Sequence, residues 1–326
     1  MKRVFSGIQP TGTLHIGNYL GAIRNWVKMQ EEYECFYCIV DYHAITVPYS
    51  PQDMAPRVMD AAATNLAAGL DPERCTFFVQ SHVPQHTELC WLLNAMTPLG
   101  NLQRMHQFKE KAQQHAENVN AGLMNYPILM AADILLYQAE VVPVGEDQLQ
   151  HLELTRDIAR KFNFIFGPTF PEPEAYLTST ARIMALNDPE RKMSKSIPGS
   201  YIALSDPPEE IRKKIARAVT DTGPAPDGSM SPGVRNLFTL LEAFAPEETV
   251  SAFRAEYNAG TLRYSQLKAA LADAMIAHLE PIRQRREEWL ARPKELHEIL
   301  LAGAERARRV ASETLAMVKE RMGFTY

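Results

Sequence analysis

Short apolar runs alternate with segments of helical period through the first two hundred positions. Val4 to Gly7, Phe36 to Val40, Thr76 to Val79 and Val141 to Val144 are rich in β-branched and aromatic side chains, and the pattern predicts four buried strands. Between them, Leu20, Ile23 and Val27 recur at near-helical spacing in a segment that opens close to Gly17. Asp53 to Gly69, Thr87 to about Ala121, Tyr126 to Tyr137 and Leu149 to Phe162 continue the helical pattern, with Pro127 suited to a first helical position. Strands that alternate with helices of this length imply a parallel, helix-covered sheet.

Beyond Pro207 the strand signals stop. Glu209 to Val219, Asn236 to Ala245, Pro246 to Tyr257, Leu262 to Leu290 and Pro293 to Met322 read as helices, with caps expected at Asp206 and Thr261. The expected architecture is therefore α/β: a Rossmann-like doubly wound parallel sheet in residues 1–206, with a helical insertion at about 85–140, followed by a helical bundle in 207–326. Gly223 to Ser229 reads as a surface loop.

Composition adds limits. At 326 residues, 46% hydrophobic and 22% charged, the chain suits a soluble, core-forming protein of two domains. No apolar run reaches membrane-spanning length, and Gln9, Pro10 and Gly12 interrupt any signal-like segment, so a cytoplasmic location away from membranes is expected. Cys35 and Cys38 have the spacing of a metal or redox pair but lie inside an apolar run with no second pair behind them, so reduced, structural thiols are expected. His82 and His86 flank Pro84, which disfavours a helix offering both to one metal, and no resident metal site is expected. The net charge is −5, yet residues 207–326 hold 18 basic against 17 acidic side chains. Arg283, Arg285 and Arg286, and Arg306, Arg308 and Arg309, are the candidate nucleic-acid patches, with acidic residues interleaved among both.

Chemistry concentrates in a few places. Lys192-Met193-Ser194-Lys195-Ser196 puts two ammonium groups and two hydroxyls in five residues, a composition able to follow charge moving between phosphates. Gln9-Pro10-Thr11-Gly12 and His15-Ile16-Gly17-Asn18 form a strand-to-helix turn, where backbone N–H groups and the helix dipole attract phosphate. His43 falls at the carboxyl end of a strand, where it lines a ligand crevice or serves as a hydrogen-bonded core histidine. Tyr126, Met130 and Asp133 share one helix face, and an aspartate amid apolar residues needs a donor, whether a neighbouring cation or a ligand. Gly145, Glu146, Asp147 and Gln148 form a second polar strand-to-helix junction. No Gly-Lys dipeptide occurs, which removes the P-loop enzymes.

The two signatures, almost two hundred residues apart, resemble those of the class I aminoacyl-tRNA synthetases, and most closely the tryptophanyl enzymes of bacterial type. Further blocks carry the resemblance: Phe-Ser-Gly-Ile-Gln-Pro from Phe5, Tyr-Pro-Ile-Leu-Met-Ala-Ala-Asp-Ile-Leu-Leu-Tyr from Tyr126, Val-Pro-Val-Gly-Glu-Asp-Gln from Val142 and Ala-Val-Thr-Asp from Ala218. The resemblance implies activation of L-tryptophan by ATP with Mg²⁺, then transfer to tRNA(Trp) by a cytoplasmic homodimer whose 207–326 region binds the anticodon. It implies ATP contacts at Gln9, Pro10, Thr11, Gly17, Asn18, Gly145, Glu146, Asp147, Ile183 and the loop from Lys192 to Ser196. Lys192 and Lys195, with Lys111 as a third cation, would stabilise the departing pyrophosphate. Asp133 would accept the indole N–H, Met130 would pack on the ring, Tyr126 and Gln148 would hold the ammonium, and Phe5 and His43 would complete the substrate site.

The sequence departs from the family pattern at Asn18, where many class I enzymes have histidine, and at Ile197-Pro198, where an acidic residue is expected. The alternatives are a tyrosyl enzyme, which usually has glutamine at the place of Met130, another nucleotidyltransferase, and a non-catalytic paralogue binding tryptophan or tRNA.

Overall fold

The computed structural model describes residues 1–106, 119–177, 183–195, 197–220 and 229–326. Its sheet has five parallel strands in the order β3-β2-β1-β4-β5: β1 (Arg3–Ile8), β2 (Glu34–Ile39), β3 (Thr76–Val79), β4 (Val141–Val144) and β5 (Glu174–Leu177). The four predicted strands are present within two residues of their expected bounds. β5 is an addition: as an edge strand exposed at Glu174, Tyr176 and Leu177, Glu-Ala-Tyr-Leu carries no core signal, and only its ladder with β4 makes it a strand.

The helices that matter for the site are α1 (Ile16–Asn18), followed by a π-helical turn Tyr19–Ile23, α2 (Arg24–Met29), α3 (Asp41–Ala44), α4 (Pro51–Ala67), α5 (Gln85–Asn94), α6 (Leu99–Gln103), α7 (Ala121–Leu136) and α8 (Leu149–Phe166). α7 begins a turn and a half earlier than expected, because Asn120 caps it by accepting from the Leu123 N–H at 2.9 Å. Pro127 therefore lies inside the helix, not at its first position. Five more helices follow: α9 (Pro208–Arg217), α10 (Pro232–Phe244), α11 (Glu247–Asn258), α12 (Tyr264–Leu290) and α13 (Pro293–Arg321). Their N-caps are Pro207 for α9 and Arg263 for α12, in place of Asp206 and Thr261. Asp206 instead accepts from the Ala203 N–H and pairs with Lys214, while the Thr261 hydroxyl donates to the Glu256 carbonyl.

Contacts divide the chain into two compact units that interleave in sequence, unlike a single cut at 206/207. The first comprises residues 1–11, 25–178 and 292–326 and holds the whole sheet. The second comprises residues 12–24 and 179–291. The reason is visible in α13. Its stripe Leu296, Leu300, Ala304, Ala307, Ala311, Leu315 and Val318 is buried, and from Ala304 onward it belongs to the same core cluster as Phe36 and Phe78 of the sheet. Gly303 makes this possible, because a Cβ there would lie 1.8 Å from the Phe77 carbonyl oxygen. Gly303→Ala is expected to destabilise the first unit by about 1–3 kcal/mol or more, read as a lowered urea midpoint, since backbone of β3 must move to accept the methyl group.

One member of a candidate basic patch is taken up structurally: Arg306 donates to the carbonyls of Pro72 and Cys75 and fastens α13, whereas Arg308 donates only within α13, to the Ala304 carbonyl, and Arg308 and Arg309 are exposed. In the second unit α12 packs against α9 and α10 through Leu267, Leu271, Met275, Leu279 and Ile282, and Arg283 is held between Glu280 and Glu287. The four cysteines are free, and burial pushes Cys35 up to about 11, which keeps it a thiol.

Candidate active site

In the first unit the site is built on Asp133. α7 carries Tyr126, Met130 and Asp133 at i, i+4 and i+7; Asp133 is 1% exposed and Met130 packs at the margin of the core. Three donors converge on the carboxylate. His43 Nε2 donates to Oδ2 at 2.7 Å, while Gln80 Nε2 and His86 Nδ1 donate to Oδ1 at 2.7 and 2.6 Å. His43 lies in α3 just past β2, Gln80 opens the 3-10 turn that follows β3, and His86 is in the first turn of α5. Two of the donors thus come from the carboxyl ends of adjacent parallel strands, where α/β sheets place ligand crevices. Burial alone would raise the Asp133 pKa, but the charge and hydrogen bond of His43 and the hydrogen bond of His86 outweigh it and hold the group at about 2, so it is a carboxylate at neutral pH.

Behind this group, His86 Nε2 meets the Tyr137 hydroxyl at 2.7 Å, and Phe5 stacks on the Tyr137 ring at 5.5 Å and 4°. The Tyr126 hydroxyl lies 2.9 Å from His151 Nε2. The remaining expected residues of this unit lie past two other strands. Gln9, Pro10 and Thr11 follow β1, and Gly145, Glu146, Asp147 and Gln148 follow β4. β1 and β4 are the neighbours at which the strand order reverses, the switch point where open sheets bind ligands. A Cβ at Gly145 would lie 2.7 Å from Asp147 Oδ1, the end of an exposed side chain that can swing aside.

In the second unit the turn at residues 12–18 and the lysine loop come together. Gly12 has φ +130°, a conformation that favours glycine, and its carbonyl accepts from Lys195 Nζ at 3.0 Å. Around Ile16 the backbone is pinned to residues 202–204: the Ile16 N–H donates to the Ile202 carbonyl and the Leu204 N–H to that of Leu14. His15 Nδ1 accepts from the Gly17 N–H at 3.1 Å, and Asn18 Oδ1 accepts from the His15 N–H at 3.1 Å, a reciprocal cap. A Cβ at Gly17 would sit 2.9 Å from the His15 ring, so Gly17 lets the imidazole fold onto its own backbone.

Burial, and then the charges of Lys195 and Lys192, lower the His15 pKa to about 4. At neutral pH the ring is therefore uncharged, its Nδ1 is an acceptor and its Nε2 carries the hydrogen. The unfolded chain takes up this proton near 6.5 and the folded chain only near 4, so stability falls as pH falls across that interval. Between pH 7 and 5, wild type is expected to lose on the order of 1–2 kcal/mol more than His15→Gln, measured by urea unfolding at the two pH values. Equal losses would show that His15 titrates normally.

The lysine loop is fixed at both flanks. The Met193 N–H donates to the Ile183 carbonyl, Lys192 bridges to Met184, and Asn236 clamps the Met184 backbone through both amide atoms, at 3.2 and 3.1 Å. Ile197 and Pro198, which depart from the family pattern, have a structural role. The Ile197 N–H donates to the Ser194 carbonyl, the Ser200 N–H to the Ile197 carbonyl, and Asn187 Nδ2 to the Pro198 carbonyl at 3.0 Å. The Tyr19 hydroxyl, in the π-turn after the signature, pairs with His278 of α12 at 2.7 Å.

Lys111 and Ser196 lie outside the described residues, as do the basic stretch around Lys109 and the loop after Gly223. Among the described residues no three His, Cys, Asp or Glu side chains are grouped to hold a metal ion, and no helix is long and apolar enough to cross a membrane. Gln80, His86 and Tyr137 were invisible as site residues in the sequence because their relation to Asp133 is purely spatial. His15 stands within the quoted signature, and its flanking Gly17 was the signal for it.

A parallel sheet in one unit, and the signature turn and paired-lysine loop in the other, are the features of the class I synthetase type. The family model for tRNA synthetases class I (W and Y) matches residues 1–280, and the chain belongs to that family. It is 52% identical over 327 residues to the tryptophan–tRNA ligase of Clostridium tetani, covering 99% of this chain and 96% of that one. It resembles the solved structure of tryptophanyl-tRNA synthetase from Mycoplasma pneumoniae, with a TM-score of 0.88, 38% identity and coverage of 99% of this chain and 98% of that one. It also resembles the Campylobacter jejuni tryptophanyl-tRNA synthetase complexed with ADP and tryptophan, with a TM-score of 0.84, 36% identity and coverage of 98% and 99%.

Proposed function

We propose that the protein is a tryptophan–tRNA ligase: it activates L-tryptophan with ATP, releases pyrophosphate, and transfers the tryptophanyl group to the terminal ribose of tRNA(Trp). The observation that carries the substrate assignment is the buried Asp133 carboxylate. Indole N–H is a donor with no acceptor capacity, and an ionised carboxylate in an apolar setting is its complement. Met130 then supplies polarizable packing against the ring. Phenylalanine, which has no ring donor, would desolvate Asp133 without a hydrogen bond in return. Tyr126 and Gln148 are proposed to face the ammonium group, and Phe5 and His43 to border the ring.

In the first step a carboxylate oxygen of tryptophan bonds to the α-phosphorus while the bond from that phosphorus to the bridging β-oxygen breaks. The nucleophile is already ionised, so alignment and charge stabilisation matter more than a base. Gln9, Pro10, Thr11, Gly17 and Asn18 are proposed to contact ATP, with Gly145, Glu146, Asp147 and Ile183 toward the adenosine. The neutral His15 ring offers its Nε2–H to a phosphate oxygen. Lys192 and Lys195 meet the growing charge on pyrophosphate, and Met193, Ser194 and Ser196 are proposed to contact ATP beside them; Lys111 is the third proposed cation. Mg²⁺, when bound, neutralises phosphate charge.

By function, residues 1–206 would be the catalytic part and 207–326 the anticodon-binding part, acting in a cytoplasmic homodimer. Arg285, exposed on α12 beside the internally paired Arg283, and Arg308 and Arg309, exposed on α13, are the arginines of the two candidate patches proposed for tRNA. Charging of a tRNA(Trp) transcript tests the assignment. Tryptophan esterification of tRNA(Trp) but not of tRNA(Tyr) is expected, and adenylate formation without charging of either would leave a paralogue rather than a ligase.

A further inference from the structure

Asp133 has about four acceptor positions, two on each oxygen. Among the described residues, Oδ1 takes hydrogen bonds from both His86 and Gln80, and Oδ2 takes one from His43. One acceptor position is thus left, and it is on Oδ2. The atoms that produce this asymmetry lie on the far side of the carboxylate. His86 Nδ1 is 2.6 Å from a carboxylate oxygen, a distance at which two lone pairs would repel, so Nδ1 carries the hydrogen, and in the neutral imidazole Nε2 is then an acceptor. The Tyr137 hydroxyl lies 2.7 Å from Nε2 and donates to the neutral ring there.

Tyr137 is fully buried and cannot turn away. Its ring is stacked against Phe36 at 4.6 Å and 22° and against Phe5 at 5.5 Å and 4°, with Phe78 edge-on at 5.6 Å. His86 is likewise fully buried. The phenol at 2.7 Å from Nε2 fixes the orientation of the ring, with Nδ1 turned toward Asp133. An imidazolium at His86 would draw electron density from the carboxylate and blunt it as an acceptor, and a ring of the other tautomer would push Asp133 away.

We propose that Tyr137 and His86 are positioning residues for substrate choice: the phenol fixes the imidazole, the imidazole with Gln80 saturates Oδ1, and Oδ2 is thereby presented as the single acceptor for the ring N–H of the substrate. The proposal rests on the reading of Asp133 as the indole acceptor and adds the residues that give that acceptor its direction. It assigns to two side chains outside the substrate site a share of the preference for a ring that bears N–H.

The test compares L-tryptophan with β-(3-benzothienyl)-L-alanine, which has sulfur in place of the ring N–H and nearly the same shape. ATP–pyrophosphate exchange by the full-length protein gives kcat/KM for each, and their ratio within one preparation does not depend on the fraction folded. Tyr137→Phe keeps the stacked ring and removes only the hydroxyl; His86→Leu removes the donor; His86→Asn restores a donor near the position of Nδ1; Asp133→Asn is the reference. Tyr137→Phe and His86→Leu are expected to lower the tryptophan-to-analogue ratio by about tenfold or more, through the KM for tryptophan, while the analogue's kcat/KM changes less than about threefold. His86→Asn is expected to recover most of the ratio. An unchanged ratio in Tyr137→Phe, with the ratio lost in Asp133→Asn, overturns the positioning role and leaves the Asp133 reading standing. A ratio unchanged in Asp133→Asn as well overturns both. Should His86→Leu fail to fold, Tyr137→Phe decides alone.

Discussion

Replacing Lys195 with alanine is expected to lower kcat for tryptophan-dependent pyrophosphate exchange by about 10²–10³-fold, with the KM for tryptophan changed by less than about threefold. The ammonium group already reaches back to the turn at residues 12–18, donating to the Gly12 carbonyl at 3.0 Å. That contact is to a neutral oxygen, and one ammonium has three hydrogens to offer. Its interaction with a departing pyrophosphate strengthens as charge leaves the α-phosphorus, and interactions gained only in the transition state appear in kcat. A variant that raises KM at constant kcat would place Lys195 in ground-state binding instead. The same substitution has a second readout. After burial, the Lys195 charge is the largest of the influences that hold His15 at about 4, so the His15 ring in Lys195→Ala is expected to titrate at higher pH by NMR.

Asp133→Ala is expected to be costly twice over. Tryptophan affinity should weaken by about 1–3 kcal/mol, the value of a lost charged acceptor. Stability should fall by about 3–5 kcal/mol, because His43, His86 and Gln80 all lose their buried acceptor together. The stability loss is separable by pH. The folded Asp133 value of about 2 lies below its ordinary 3.8, so its contribution is present above about pH 4 and is lost as pH falls toward 2. Wild type and variant should therefore converge in urea midpoint as the pH is lowered through that interval. Parallel curves across it would mean that the carboxylate is not held by these partners. Tryptophan affinity unchanged in the folded variant would remove the indole contact.

The sheet was legible in the sequence wherever burial on both faces leaves an uninterrupted apolar run, as in Phe36 to Val40 and Thr76 to Val79. β5 was not, because an exposed edge strand needs only its ladder, and Glu174 to Leu177 has no pattern to betray that. The helical C-terminus was legible in its five elements but not in its allegiance. A stripe of Leu and Ala on α13 fits a bundle as well as a sheet, and the deciding residue is Gly303, whose missing side chain lets the helix touch β3.

The same division runs through the site. Local motifs placed the turn at Gly17 and Asn18, the Asp133 face of α7 and the lysine loop. They also marked Ile197 and Pro198 as unusual, and the hydrogen bonds from Ser194 to Ser200 give these two a closing turn in place of an acidic contact. What local reading missed is the set of residues that answers a buried charge. A carboxylate in an apolar helix face announces that donors exist, and only the fold says that they are His43, Gln80 and His86, ninety, fifty-three and forty-seven residues away. The set holds no lysine or arginine; two histidines and an amide surround the carboxylate.

In the proposed function a buried carboxylate and two loop lysines serve a tryptophan-activating enzyme. Pyrophosphate exchange into ATP, with each of the protein amino acids supplied in turn to the full-length protein, measures that directly. Exchange driven by tryptophan and by no other amino acid to more than a small fraction is the predicted result; exchange driven by tyrosine, or none with tryptophan, would contradict it.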